Sequence, residues 1–263
     1  MHIYFSELCL INEDLFENVR RLKEAGTNYV ELMMDGKPWN RFHEHLEALS
    51  SRLNSLDMQY AVHSPVWDIN LTAENYHVRK AALETYKDAI RFAKLIHAEH
   101  LVIHPGFCDI PVFSKETAKK RARKAIMELV QFNRDFGVLL LVENVGNSST
   151  SIFTMEEYLE FLDDFPVNVK YILDIGHANI TGWDIPYVVK ALGSRLRAMH
   201  INDNDGKRDI HLAIGEGTVD WTRVYEAIKE TGKCYDLILE YNYGTELKKL
   251  TEGKLILEKA LGL

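Results

Sequence analysis

Cysteine is scarce in this chain: there are three in 263 residues, and Cys9, Cys108 and Cys234 stand far apart with no Cys-x-x-Cys pair. That spacing argues against a disulfide scaffold and against a thiolate metal site. Linkers rich in proline, glycine or serine are missing, as are low-complexity tracts, so a single domain over residues 1–263 is expected. No apolar run approaches the ~20 residues of a membrane span, and the N-terminal Met1–Leu10 lacks the basic-then-apolar pattern of a signal peptide. No membrane partner is therefore expected, and the default location is cytoplasmic. Basic residues are outnumbered, 31 Lys and Arg against 39 Asp and Glu, and the formal net charge of −8 argues against a general affinity for nucleic acid. The densest basic stretch, Lys115–Lys124, reads as a solvated helix face, with contact to a phosphate-bearing ligand as the alternative.

What the chain does have is an alternation. Short apolar, β-branched runs recur at His2–Phe5, Tyr29–Leu32, Gln59–His63, His100–His104, Val138–Glu143, Val169–Asp174, Leu196–Ile201 and Tyr235–Glu240. A helix-length segment follows each. Helical spacing is clearest over Glu13–Ala25, Val78–His97, Lys115–Phe136 and Trp221–Thr231, with Gly26 and Gly232 as stop signals and Ser114 as a cap. Eight units in 263 residues average about 33 each, close to the ~30 of a βαβ step, and the length suits an α/β barrel of ~250 residues. The expected fold is α/β, a single-domain (β/α)₈ TIM barrel. An open doubly wound sheet is the competitor on periodicity alone.

The strand ends favour the barrel. Strand three ends at His63, four at His104, five at Glu143, six at Asp174 with His177 close behind, seven at His200 and eight at Glu240. Six consecutive strands thus deliver an ionisable group to the rim where barrels carry their chemistry. Any one of them would ordinarily cap a loop. Together they would repel and desolvate one another unless a cation or mutual pairing compensates. Imidazoles and carboxylates without thiolates suit Zn²⁺, Mn²⁺, Co²⁺ or Fe²⁺, and a carboxylate-rich site also admits Mg²⁺.

The motifs His63-Ser64-Pro65, His104-Pro105-Gly106, Glu143-Asn144, Asp174-Ile175-Gly176-His177, His200-Ile201-Asn202-Asp203, Asp209-Ile210-His211 with Ile214–Gly217, and Glu240 resemble, in this order, the xylose-isomerase-like TIM-barrel superfamily. That superfamily includes sugar isomerases and epimerases, inosose-processing enzymes and nucleases of the endonuclease IV type. In the sugar branch the resemblance implies one divalent metal held by Glu143, Asp174, His200 and Glu240. Glu143 and Glu240 would be the acid–base pair around a metal-stabilised enediolate. His177 would contact substrate, and Glu31, Trp67 and Trp183 are candidates for the pocket wall, although packing explains the tryptophans equally well. In the nuclease branch it implies three zinc ions: His63, His104 and bridging Glu143 for the first, Asp174, His200 and Glu240 with Glu143 for the second, His177, Asp209 and His211 for the third.

Departures from the nuclease pattern favour a small sugar-like substrate. Where that pattern runs aspartate-threonine-cysteine-histidine, this chain has Asp174-Ile175-Gly176-His177, and Ile210 replaces an arginine between the last two ligands. The expectation is a metal-dependent isomerase or epimerase of a small sugar, sugar phosphate or inosose. The alternative is a multi-zinc phosphodiester hydrolase acting on nucleic acid, and a second alternative is a barrel that binds metal or sugar without turnover. One to three ions are expected, and the oligomeric state stays open.

Overall fold

The apolar runs become strands because alternate residues can be buried on both sides at once. In a computed structural model describing residues 1–263, β1 (Ile3–Ser6), β2 (Tyr29–Met33), β3 (Gln59–His63), β4 (Leu101–Ile103), β5 (Leu140–Glu143), β6 (Val169–Asp174), β7 (Leu196–Ile201) and β8 (Asp236–Leu239) close in chain order. Every pairing is parallel, including β1 with β8. The closed ring excludes the open sheet. Tyr4, Ala61, Val102, Leu141, Ile172, Ala198 and Ile238 form one inward layer. Their strand neighbours Phe5, Val62, Ile103, Val142 and Leu173 face outward into the larger core shared with the helices.

The helices are α1 (Leu15–Glu24), α2 (Leu46–Asn54), α3 (Tyr76–Leu95), α4 (Lys115–Phe132), α5 (Met155–Glu160), α6 (Ile175–Ile180), α7 (Ile185–Leu192), α8 (Trp221–Thr231) and α9 (Leu247–Leu261). Caps set where they begin. Asp14, Asn75 and Ser114 accept backbone N–H groups in the first turns of α1, α3 and α4, so α3 starts two residues before its apolar spacing does. The stretch expected to be helical to Phe136 leaves the α-helix after Phe132, continues as a 3₁₀ turn and ends at Gly137, whose φ of 69° suits glycine. No helix is long and apolar enough to cross a membrane.

The basic stretch on α4 is occupied by local pairing. Arg121 grips Glu74 with both terminal nitrogens (2.7 and 3.0 Å), Lys119 pairs with Glu116 and Glu157, and Arg123 reaches Asp164 at 3.0 Å. Lys120 and Lys124 stay exposed on the same helix.

Candidate metal centre

Parallel strands all end on the same rim, and the inward alternation that buries Ala61, Val102, Leu141, Ile172, Ala198 and Ile238 brings the residue two positions later to the mouth. Those residues are His63, His104, Glu143, Asp174, His200 and Glu240. All are buried except His104, which is partly so.

Glu143 is the hub. Its Oε2 lies 3.3 Å from His63 Nε2 and 3.0 Å from His104 Nε2, and its Oε1 lies 3.2 Å from His200 Nδ1 and 3.4 Å from His177 Nδ1. The Nδ1–H of His63 donates to the Ser64 carbonyl at 2.9 Å, which turns Nε2 toward the hub. Around His200 Nδ1 the carboxylates of Glu143, Glu240 and Asp174 stand at 3.2, 3.6 and 3.8 Å. Asp209 spans two imidazoles, 3.0 Å from His177 Nε2 and 3.0 Å from His211 Nε2, while His211 Nδ1 donates to the Glu240 carbonyl at 3.1 Å.

Donor atoms close to within 4.8 Å of one another in four sets: His63, His104, Glu143; His63, His200, Glu240; Glu143, Asp174, His200; and Asp174, His177, His211. The first has the members of one expected ligand group; the third has three of the four residues of another, with Glu240 grouped instead with His63 and His200. The expected group of His177, Asp209 and His211 is drawn differently, because Asp174 joins the two histidines from below while Asp209 bridges their outer nitrogens.

Charge is concentrated here to a degree that burial alone would forbid. Burial disfavours the cation of His63, yet the hydrogen bond and charge of Glu143, with Glu31 and Glu240 behind, push it up to about 9. His177, His200 and His211 are also raised well above the ordinary value against burial, by Asp174 and Asp209, by Glu240 and Glu31, and by Asp209 and Glu240 respectively. Burial would raise Glu240, but His200 and His211 hold it down to about 2; Glu143 is likewise lowered, chiefly by His200. His104 is lowered by burial, and Asp174 is raised by it. Protons on the histidines thus answer the carboxylates, and a divalent cation would supply the same charge while displacing them. The donor set fits such an ion, and the fully buried Nδ1 of His177 faces the cluster with no hydrogen-bond partner.

Two asparagines that carried no assigned role fix Asp174. Asn144 accepts from its backbone N–H (2.7 Å) and donates to its carbonyl (2.9 Å), and Asn202 Nδ2 donates to its Oδ2 at 2.9 Å. Both lie inside the sequence motifs, directly after Glu143 and two residues after His200.

The expected pocket-wall residues divide. Trp67 stays on the rim, 53% exposed, beside Val66, whose N–H is tied to Asp35 at 2.9 Å. Trp183 lies outside the barrel wall: it packs on Tyr158, ring centres 5.4 Å apart, and borders a cleft of about 640 Å³ with Lys115, Phe153 and Glu156 that contains no member of the cluster. It stands after α6, on the helix side of β6, so its place is packing. Glu31 is also not a wall. It is wholly buried beneath the cluster, with Oε2 3.1 Å from His200 Nε2.

The family described as xylose isomerase-like TIM barrel matches residues 19–260. An uncharacterized protein of Methanocaldococcus jannaschii is 28% identical over 97% of this chain and 88% of its own length. The inosose isomerase of Bacillus velezensis is 21% identical over 97% of this chain and 93% of its own, and a probable endonuclease 4 of Halothermothrix orenii 23% over 78% and 81%. A crystal structure of a D-tagatose 3-epimerase-like protein superposes with a TM-score of 0.86 at 26% identity, covering 100% of this chain and 97% of that one. The structure of an IolI protein with a bound zinc atom shares the fold, with a TM-score of 0.81 at 19% identity over 100% and 98%. With the closed barrel and the ordered rim residues, these matches place the chain in the xylose isomerase-like TIM-barrel family.

Proposed function

We propose that this protein is a divalent-metal-dependent isomerase or epimerase of a small sugar, sugar phosphate or inosose. The observation that carries the reading is the convergence of Glu143, Asp174 and Glu240 on one nitrogen of His200, at 3.2 to 3.8 Å. These four residues would hold the metal. A divalent ion held there supplies Lewis-acid polarisation of adjacent substrate oxygens.

The protein's own part is proton transfer and positioning. Glu143 and Glu240 come from β5 and from the end of β8, which are not neighbours in the ring, so they approach the mouth from different sides. Both are held in the ionised form. Either can accept the proton from the carbon beside a carbonyl, and the other, once it has taken a proton from solvent, can return one, to the opposite face of the same carbon for an epimer or to the former carbonyl carbon for an isomer. His177 and the half-exposed Asp209 are placed to hydrogen-bond substrate hydroxyls.

A small substrate is supported by the loop after β7. Asp203 ties it down, accepting from Trp221 Nε1 (2.8 Å), Gly215 N (3.0 Å) and Val219 N (3.1 Å). Gly176 stands where the nuclease pattern has cysteine, and a Cβ there would lie 1.9 Å from Asn202 Oδ1, so this rim is built around glycine. The names of the similar inosose isomerase and tagatose epimerase-like protein agree with the reading.

One observation favours a second reading, a multi-zinc phosphodiester hydrolase: the sets His63, His104, Glu143 and Asp174, His177, His211 offer more donors than one ion needs. Metal stoichiometry on purified protein, with two activity assays, separates the two. About one ion per chain, with solvent-hydrogen exchange into a panel of ketoses, aldoses and inososes, is expected. About three zinc ions with cleavage of an abasic-site oligonucleotide would overturn the isomerase.

A further inference from the structure

Two carboxylates at the cluster, Glu31 and Asp209, belong to none of the four donor sets, and of these only Glu31 is buried. It sits on β2 in register with Ala61 of the inward layer, so it points into the barrel. Both Glu31 and His200 are completely inaccessible, and they stand 169 positions apart in the chain. Glu31 is therefore closed to substrate in this structure. Its Oε2 faces His200 Nε2 at 3.1 Å, on the side of the ring opposite the carboxylates at Nδ1, and its Oε1 has no hydrogen-bond partner.

A carboxylate buried against one ring nitrogen of a metal-binding histidine fixes the tautomer and the ring plane, and it raises the basicity of the other nitrogen. We infer that Glu31 is a positioning residue that holds His200 through Nε2–H, so that Nδ1 is the nitrogen offered to the metal. The inference rests on the metal-dependent reading above. It differs from a plain buried ion pair, which an apolar residue of similar volume could replace without consequence for the ligand. Here the replacement frees the imidazole to turn and lets either nitrogen face the three carboxylates.

Two variants test this. Glu31→Gln keeps an acceptor for Nε2–H but loses the charge; Glu31→Leu loses both. Zinc affinity, measured by competition with a chromogenic chelator, is expected to fall about 10- to 100-fold in Glu31→Leu and by less in Glu31→Gln. In proton NMR of the metal-free protein with labelled histidine, the wild type should show a hydrogen-bonded His200 Nε2–H signal far downfield. That signal should move upfield in Glu31→Gln and vanish in Glu31→Leu. A folded Glu31→Leu that keeps both the signal and a zinc affinity within about twofold of wild type overturns the inference. If Glu31→Leu does not fold, a Glu31→Gln protein with unchanged signal position and unchanged affinity overturns it equally. If the wild type itself binds no zinc, the metal-dependent reading fails, while the Nε2–H signal still reports on Glu31 alone.

Discussion

Two histidines inside the same barrel, both wholly inaccessible, are driven in opposite directions. His200, at the mouth, is raised well above the ordinary histidine value even though burial opposes it, because Glu240, Glu31 and Glu143 surround it. His100 immediately precedes β4 at the closed end, where burial, helped by the charges of Arg197 and His200, lowers it to about 3. Neither of its ring nitrogens has a partner, and its nearest aromatic neighbour, Tyr4 at 5.9 Å between ring centres, has an unpartnered hydroxyl. Burial without a carboxylate beside it therefore neutralises a histidine here. What makes the mouth a candidate metal centre is the carboxylates brought to it from β2, β5, β6 and the end of β8.

The largest effect should follow from removing one of those carboxylates. Glu240→Gln keeps the shape of the site but takes away a ligand and a proton-transfer group, so kcat/KM on the responsive sugar should fall by at least ~10³-fold. Turnover near wild type would break the contrast, since the mouth would then work without its charge. Next comes His211→Ala, which strips a histidine from the edge of the cluster and leaves the four central residues intact. Under the isomerase reading the metal count by elemental analysis stays near one, and activity drops by about tenfold or less. Loss of a whole ion together with the activity would move the protein to the hydrolase.

Titration of the metal-free protein gives a smaller effect with a definite sign. The folded value of His63, about 9, lies above its ordinary 6.5, so its stabilisation is fully present below pH 6.5 and fades as pH rises through 9. Glu240 is depressed from 4.5 to about 2, so its contribution is present above pH 4.5 and fades as pH falls through 2. Urea unfolding at pH 6.5 and pH 9.5 should therefore differ by up to roughly 3 kcal/mol, with the alkaline sample the weaker. Saturating zinc should flatten the slope, because it replaces the protons. An equal stability at both values without metal would show that the imidazoles at the mouth are neutral, as His100 is.

The parts of this contrast that sequence reveals are those set by short-range rules. His63, His104, Glu143, Asp174, His200 and Glu240 were legible because each ends a strand, and period-two alternation with parallel closure sends all six to one rim. Asp209 and His211 lie in a loop, where no period applies, and only their resemblance to a known motif singled them out. Glu31 was visible but misplaced: its contact with His200 spans 169 residues across the barrel, and nothing local encodes it. Alternation counted back from Met33 would have turned it inward. For Trp183, of the two roles open from sequence, the structure places the packing one. A tryptophan in a loop close behind the rim residues of β6 looks like a pocket wall, yet the chain has already turned outside β6 by then and packs the ring on Tyr158. His100 drew no attention, because an isolated histidine at a strand start has no motif.

That residue supplies the smallest and sharpest test. A neutral imidazole buried without hydrogen bonds loses its hydration on folding and gains nothing polar in return, a cost of ~1–3 kcal/mol. Leucine has similar bulk and no such debt, and the inward layer next along the barrel, with Val102, Leu141 and Ile172, is apolar. His100→Leu should therefore stabilise the protein by about 1 kcal/mol, raising Tm by ~2–4 °C for a chain of this size, and leave zinc affinity unchanged. A fall in Tm of that size would mean that the imidazole is satisfied at the closed end, by ordered water shared with the Tyr4 hydroxyl. The barrel would then be polar at both ends, and its two histidines would differ only in the sign of the charge around them.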